Sequence, residues 1–134
     1  MNGDHEVSVL VVDDDAAIRT FLRTILKRTN ADVECVPDGD GAMERLGNRS
    51  YSVVILDLML PTIDGFEVIR RVAETMPELL KRFIVLTAVS RSTLGQLDGE
   101  DRLWRVMRKP FDINDLLQSV AACAAQGGGS QLAM

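Results

Sequence analysis

A chain of 134 residues and 14.8 kDa suits one domain with a real core, and we predict no separate output domain within it. Its 15 Lys and Arg and 20 Asp and Glu are interspersed and give a net charge of -5, which argues against direct nucleic acid binding, because such surfaces cluster basic residues. The apolar runs are too short for membrane insertion and residues 1–6 are too polar for a signal peptide, so we expect a cytoplasmic protein.

The few sulfur and imidazole groups give no sign of a metal site or of histidine chemistry. Cys35 and Cys123 lie far apart with no CxxC or Cys/His spacing, so two buried thiols are expected. The single histidine, His5, lies in a polar N-terminal segment, which argues against zinc or His-based catalysis.

Short β-rich runs alternate with amphipathic helical stretches along the chain. Strands are predicted at residues 7–12, 33–36, 53–56, 83–87 and 103–108. After the first strand, apolar residues at i, i+3, i+4, i+7 and i+8 predict a helix that begins near Asp15 and packs on the sheet. That stripe consists of Ile18, Phe21, Leu22, Ile25 and Leu26.

The later helical patterns are weaker, except for the last. A third helix should stop at Pro77, and a final helix should begin at Asp112 as N-cap, with Asp115 three residues on. The stretch 90–100 is rich in Ser, Thr and Gly, so we expect residues 88–102 to be the least ordered internal region. Residues 1–6 are predicted to be a disordered tail, and residues 126–134 a flexible Gly/Ser tail or linker.

Alternation of strands and helices at this rhythm predicts an α/β fold, in which a doubly wound parallel sheet is covered by helices on both faces. The run at residues 53–56 is apolar at consecutive positions, as expected for a strand buried on both sides. Ligands of such sheets bind outside the carboxyl ends of the strands. The polar residues that end the strands are therefore the candidate functional residues.

Those strand ends carry Asp13 and Asp14, Asp57, Thr87 and Lys109. Three carboxylates held together repel one another unless positive charge lies among them. Lys109 supplies one charge, and Mg²⁺, which prefers oxygen ligands and phosphate oxygens, could supply the rest. The alternative is that a terminal Asp merely caps the next helix, as Asp14 or Asp15 could do.

With these motifs, the chain from about Val7 to Ala125 resembles the response-regulator receiver domain of two-component signalling. The resemblance rests on the acid run at 13–15 with Arg19, on the segment Asp-Leu-Met-Leu-Pro-Thr-Ile-Asp-Gly at 57–65, on Leu-Thr-Ala at 86–88 and on Lys-Pro-Phe at 109–111. It implies a single-domain, chemotaxis-regulator-like protein with a flavodoxin-like fold. Five strands in the order 2-1-3-4-5 would be flanked by five helices.

The resemblance also implies a phosphorylation site and a cofactor. Asp57 would accept a phosphoryl group from a phosphohistidine on a sensor histidine kinase or a phosphotransfer protein. Asp13, Asp14 and Asp57, with the backbone carbonyl of Met59, would hold Mg²⁺.

Further residues would bind the phosphoryl group or shape the site. Lys109 would pair with Asp57 and then with a phosphoryl oxygen, Thr87 would bond another oxygen, and the small Ala88 would leave the approach open. By the same resemblance the Lys109-Pro110 bond is a cis peptide that aims the lysine. The positions with a structural role are Pro61, Gly65 and Pro110.

Three positions depart from the family pattern or modify it. The position three before Lys109 usually carries an aromatic switch residue, and here it is Val106; Trp104 would share its face by strand alternation. Two residues past Asp57 and two past Thr87, the family positions that influence water access are the apolar Met59 and Val89. We therefore predict slow self-dephosphorylation.

The interpretation is a signalling phosphoacceptor rather than an enzyme that turns over a substrate, and other classes stay open. One is a noncatalytic receiver-like interaction module whose switch is impaired. An Asp-nucleophile phosphatase would want an acid where Met59 stands, and a nucleotide switch would want a GxxxxGK[ST] loop. The downstream partner could be a separate protein or a fused output domain, and the chain a monomer or a phosphorylation-dependent dimer.

Overall fold

A computed structural model of the chain describes residues 7–97 and 99–129. Within them are five strands, β1 (Val7–Val12), β2 (Ala31–Val36), β3 (Val53–Leu56), β4 (Phe83–Thr87) and β5 (Arg105–Arg108). Five α-helices connect or follow them, α1 (Ala16–Lys27), α2 (Gly39–Asn48), α3 (Gly65–Thr75), α4 (Arg91–Leu94) and α5 (Ile113–Gly129). Two short 3₁₀ helices, Pro77–Arg82 and Glu100–Arg102, precede β4 and β5.

All strand pairs are parallel and the sheet order is β2-β1-β3-β4-β5, as predicted. The central strand β3 is buried at every position, which accounts for its unbroken apolar run. The register pairs Val12 with both Val36 and Leu56, so these strands end level with one another. The residues that follow them therefore meet at one edge of the sheet.

Each face of the sheet has its own core. One face packs against α2, α3 and α4 through buried residues such as Leu46, Val72 and Leu94. The other packs against α1 and α5 through residues such as Leu26 and Leu116. The doubly wound architecture expected from the alternating pattern is thereby confirmed.

Aspartates cap the first and last helices as the sequence suggested. Asp15 accepts hydrogen bonds from the backbone N–H groups of Ala17 (2.8 Å) and Ile18 (3.3 Å) at the start of α1. Asp112 accepts one from the N–H of Asp115 (2.8 Å) at the start of α5. Capping by Asp15 leaves the carboxylates of the two preceding aspartates available for other contacts.

The N-terminal half of the molecule departs from the expected pattern in one side chain. Phe21 belongs to the predicted apolar stripe of α1, yet it is 38 % exposed and lies tilted against the ring of Phe111, with centroids 6.4 Å apart. The buried face of α1 is narrower than the stripe and is formed by Leu22, Ile25 and Leu26.

β5 is an edge strand with Arg105 and Arg108 exposed, and the expected place of Trp104 is wrong. Trp104 packs on the α1 and α5 face, whereas Val106 packs on the opposite face. The strand begins at Arg105 and Trp104 lies in a bend before it, where strand alternation does not apply.

The segment between β4 and β5 is anchored by apolar side chains despite its polar composition. Val89, Leu94, Leu97 and Leu103 are all buried in the core on the α2 to α4 face. The Ser90 side chain caps the single turn of α4 by accepting from the N–H of Thr93 at 3.2 Å. That residues 88–102 are the least ordered internal region stays a prediction.

Most of the two predicted tails lies outside the residues that the structure describes. Helix α5 was expected to stop near Ala125 but continues to Gly129, four residues into the predicted Gly/Ser tail, and residues 130–134 lie outside the described range. Residues 1–6, with His5, also lie outside it.

Of the two cysteines, Cys123 is buried as expected and Cys35 is only half-buried. In the described part of the chain, no helix is long and apolar enough to cross a membrane.

Candidate functional site

The carboxyl edge of the sheet brings together four of the predicted side chains. Backbone bonds fix their positions: the N–H of Asp13 donates to the carbonyl of Val36 (3.2 Å), and that of Asp57 to the carbonyl of Val12 (2.9 Å). Lys109 continues the pairing of β5 by donating its N–H to the carbonyl of Thr87 at 2.8 Å. The polar side chains are thus held by the sheet itself rather than by a mobile loop.

Asp57 is buried, with its side chain 7 % exposed, and each of the two carboxylate oxygens has a donor. Oδ1 accepts from the Thr87 hydroxyl at 2.8 Å and from the N–H of Met59 at 3.2 Å. Oδ2 accepts from Nζ of Lys109 at 3.1 Å. These three hydrogen bonds orient the carboxylate. Thr87 is completely buried, and its hydroxyl already contacts Asp57 in this structure.

Lys109 also joins Asp57 to Asp13. Its Nζ lies 2.8 Å from Oδ2 of Asp13, whose other oxygen accepts from the N–H of Asp15 at 2.9 Å. Burial raises the pKa of Asp13, because the charged form loses water, although its bonds to Lys109 and Asp15 oppose the shift. Burial by itself would lower the pKa of Lys109, but the hydrogen bonds and charges of the two aspartates outweigh it and raise that pKa. The lysine therefore stays an ammonium at neutral pH.

Asp14 completes a group of three carboxylates. One oxygen from each of Asp13, Asp14 and Asp57 lies within 4.8 Å of the others, and Asp14 is exposed to solvent. With one ammonium among them, the three carboxylates leave an excess of two negative charges. Hard oxygen donors, one of them open to water, fit a hydrated divalent ion such as Mg²⁺.

The loop after β3 carries three of the predicted structural and ligand positions. Met59 and Pro61 are exposed, and Gly65 is buried at the start of α3. A Cβ on Gly65 would lie 2.5 Å from the carbonyl oxygen of Asp57 and 2.6 Å from Cα of Leu58. A side chain at this position would clash because α3 approaches the loop backbone so closely, which gives Gly65 a structural reason for its place.

The loop after β5 presents the lysine. The Lys109-Pro110 peptide is cis. Ala88 is exposed, and it borders, with Lys109 and Pro110, an apolar groove of about 560 Å³ that extends between Phe21 and Ile113. That the small side chain at position 88 keeps the approach to the site open stays a prediction.

Sequence reasoning gave no role to Arg19, which the structure places at the site. Its Nη1 donates to the backbone carbonyl of Asp13 at 2.8 Å and so supports the turn that carries the acid pair. The signal in the sequence was a basic residue one turn into a predicted helix and next to its apolar stripe. The structure leaves Arg19 half-buried. A second missed contact is the N–H of Val89, which reaches Oγ1 of Thr87 at 3.5 Å.

Fold and site together define a doubly wound α/β protein with a cluster of three carboxylates, paired with one lysine, at its strand ends. Residues 9–121 match the family model described as the response regulator receiver domain. The chain belongs to this family of two-component signalling domains, as the sequence resemblance indicated.

Named relatives and solved structures agree with that assignment. The chain is 38 % identical over 119 residues to response regulator MprA of Mycobacterium sp. (strain KMS), covering 87 % of this chain and 50 % of that protein. It is 32 % identical over 115 residues to response regulator ArlR of Staphylococcus saprophyticus, covering 85 % of this chain and 50 % of the relative. The chain therefore spans about half the length of these relatives.

Two receiver structures illustrate the similarity of fold. The Francisella response regulator 1452 receiver domain has a TM-score of 0.79 at 26 % identity, with 90 % of this chain and 98 % of that one covered. The structure of response regulator TrrA from Thermotoga maritima, in complex with Mg(2+)-BeF, has a TM-score of 0.75 at 28 % identity. It covers 87 % of this chain and 98 % of TrrA.

Proposed function

We propose that Asp57 is a phosphoacceptor that takes a phosphoryl group from a phosphohistidine donor in a reaction that requires Mg²⁺. One observation carries the proposal: the Asp57 carboxylate is held between the Thr87 hydroxyl and the Lys109 ammonium, with oxygens of Asp13 and Asp14 within 4.8 Å. This is the combination of nucleophile and positive charge that phosphoryl transfer needs.

The transfer forms one bond and breaks another. An oxygen of Asp57 attacks phosphorus in line with the histidine nitrogen, the P–N bond breaks, and its electron pair leaves with the imidazole. As negative charge gathers on the phosphoryl oxygens, Lys109 and Thr87 move their hydrogen bonds from Asp57 to two of them. Both donors lie within 3.1 Å of the carboxylate, so only short movements are required.

Four groups of the chain would hold the magnesium ion: the carboxylates of Asp13, Asp14 and Asp57 and the backbone carbonyl of Met59. When bound, Mg²⁺ supplies positive charge that offsets the repulsion between the carboxylates and the incoming phosphoryl oxygens. The excess of two negative charges in the cluster supports a divalent ion. The Mg(2+)-BeF complex of TrrA supports the same choice.

Uptake from a small acyl phosphate tests the proposal without a kinase. The protein is incubated with acetyl phosphate and Mg²⁺, and the mass of the intact chain is followed with time. We expect a gain of one phosphoryl group that disappears in Asp57→Asn and in the presence of a chelator. Phosphorylation that survives the substitution, or that proceeds equally without divalent ions, would refute the assignment.

A sensor histidine kinase or phosphotransfer protein is the proposed donor, and the exchange would occur in the cytoplasm, where kinases draw on ATP. The receiver domain would comprise residues 7–125, with the last turn of α5 extending to Gly129, between an N-terminal tail and a C-terminal tail or linker. Its output would go to a downstream protein or to a fused output domain. The relatives of twice this length, all named response regulators, leave room for such a domain.

One observation favours a second candidate function, a receiver-like interaction module that is held in one conformation. Val106 lacks the ring that usually swings inward, and Trp104 packs on the opposite face of the sheet, so it does not replace that ring. NMR spectra recorded before and after phosphorylation distinguish the two. Shifts that spread from Asp57 to β5 support a switching receiver, and shifts confined to the site support the module.

A further inference from the structure

Met59 is unusually exposed for a methionine. The residue is 60 % exposed, whereas Met107 is only 6 % exposed and Met43 and Met76 are half-buried. These four are the methionines in the described part of the chain. Oxidation of methionine follows access to solvent, so among these four the Met59 thioether is the one that a dissolved oxidant meets first.

The position of Met59 couples this sulfur to the acceptor site. Its backbone N–H donates to Oδ1 of Asp57 at 3.2 Å. Met59 lines a cavity of about 420 Å³ together with Asp14, Leu60 and Phe66. The exposed methionine therefore lies next to Asp14, the carboxylate of the cluster that is open to solvent.

We propose that Met59 is a site of reversible oxidation by hydroperoxides, and that its oxidation shortens the life of the phosphorylated state. The second part rests on the proposed function of Asp57. In the reaction the sulfur lone pair attacks one oxygen of hydrogen peroxide and the O–O bond breaks. The sulfur is oxidised by two electrons to a sulfoxide, and the other oxygen leaves, after proton transfer, as water. Methionine sulfoxide reductases restore the thioether.

The chemical change explains the expected effect. A sulfoxide oxygen is a strong hydrogen-bond acceptor, so it can hold a water molecule beside the cluster where the thioether excludes it. The backbone N–H that orients Asp57 is unaffected, so phosphoryl uptake does not depend on the oxidation state of the sulfur. Oxidation should therefore alter hydrolysis of the acyl phosphate more than its formation.

Peptide mass spectrometry after dilute hydrogen peroxide treatment tests the first part. We expect Met59 to gain oxygen before Met43, Met76 and Met107. Oxidation of Met59 no faster than that of Met43 would overturn the assignment of the site. The same maps follow the half-buried Cys35, so that thiol oxidation is scored separately.

The lifetime of the phosphorylated protein tests the second part. Treated and untreated samples are loaded with acetyl phosphate and Mg²⁺, and loss of the phosphoryl group is timed after the donor is removed. Loss should be faster by roughly two- to tenfold in the oxidised wild type, the range expected of one added hydrogen bond. Treatment with a sulfoxide reductase should reverse the change.

Met59→Leu is the matched control, because leucine is apolar, of similar size and inert to peroxide. Each protein is compared with its own untreated sample, and peroxide should leave the lifetime in Met59→Leu unchanged. An equal acceleration there, or none in the oxidised wild type, would overturn the coupling. Failure of the untreated wild type to take up phosphate would instead count against Asp57 as acceptor, while the oxidation map would still decide the first part.

Discussion

The close approach of α3 to the loop after Asp57 makes Gly65→Ala an informative perturbation. The added Cβ would lie 2.5 Å from the carbonyl oxygen of Asp57, nearly an ångström short of ordinary contact at 3.4 Å, and both of its nearest neighbours are backbone atoms. Overpacking of this kind costs about 1–3 kcal/mol. The higher helix propensity of alanine offsets up to about 1 kcal/mol of this cost. With the full offset, we expect the free energy of unfolding to fall by up to about 2 kcal/mol, and phosphoryl uptake to slow because the backbone of Asp57 must shift.

Urea denaturation followed by circular dichroism measures this change, with Gly47→Ala as the matched control. Gly47 lies in α2 and a Cβ there would meet nothing within 4 Å, so that variant should gain about 0.5–1 kcal/mol. The two substitutions are chemically identical and are predicted to act in opposite directions. Equal effects on stability, or unchanged phosphoryl uptake in Gly65→Ala, would refute the reasoning.

Three further predictions concern backbone strain, thiol burial and the site lysine. Thr62 has φ of 65°, unfavourable for a β-branched residue, so Thr62→Asn should raise the free energy of unfolding by roughly 0.5–1 kcal/mol; a urea midpoint below that of the wild type would contradict this. Burial raises the pKa of the Cys123 thiol to about 12, so a thiol reagent at neutral pH should label Cys35 first. Equal labelling rates of the two cysteines in the native protein would contradict this prediction. Because the pKa of Lys109 is raised in the folded state, its stabilising effect should be complete below the ordinary value of 10.5 and disappear as the pH rises through the raised value. Melting temperatures of wild type and Lys109→Met across this range test it, and a pH-independent difference between them would contradict the linkage.

The sequence was sufficient to predict the architecture because its signals are local and repeated. Strands that are buried on both faces consist of unbroken apolar runs. The predicted boundaries of β1, β3 and β4 agree with the structure residue for residue. Parallel strands end on the same edge, so Asp57, Thr87 and Lys109 could be placed together without any coordinates. The distances between them confirm that placement, while their chemical roles remain proposals.

The features that the sequence did not reveal depend on contacts between distant segments. A Cβ on Gly39 would lie 1.8 Å from the carbonyl oxygen of Ile63, and no local pattern signals that approach. Trp104 was assigned to the wrong face because the start of β5 is set by pairing with β4, not by its own residues. The bond from Arg19 to the backbone of Asp13 likewise follows from the packing of α1 on the sheet.

Identification of the modified residue tests the central claim most directly. The wild type is loaded with acetyl phosphate and Mg²⁺, and the acyl phosphate is reduced with borohydride, which converts a phosphorylated aspartate to homoserine. Sequencing of the peptides by mass spectrometry should then find homoserine at position 57, and only in samples that contained magnesium. Homoserine at Asp13 or Asp14 instead, or at position 57 regardless of divalent ions, would contradict the account.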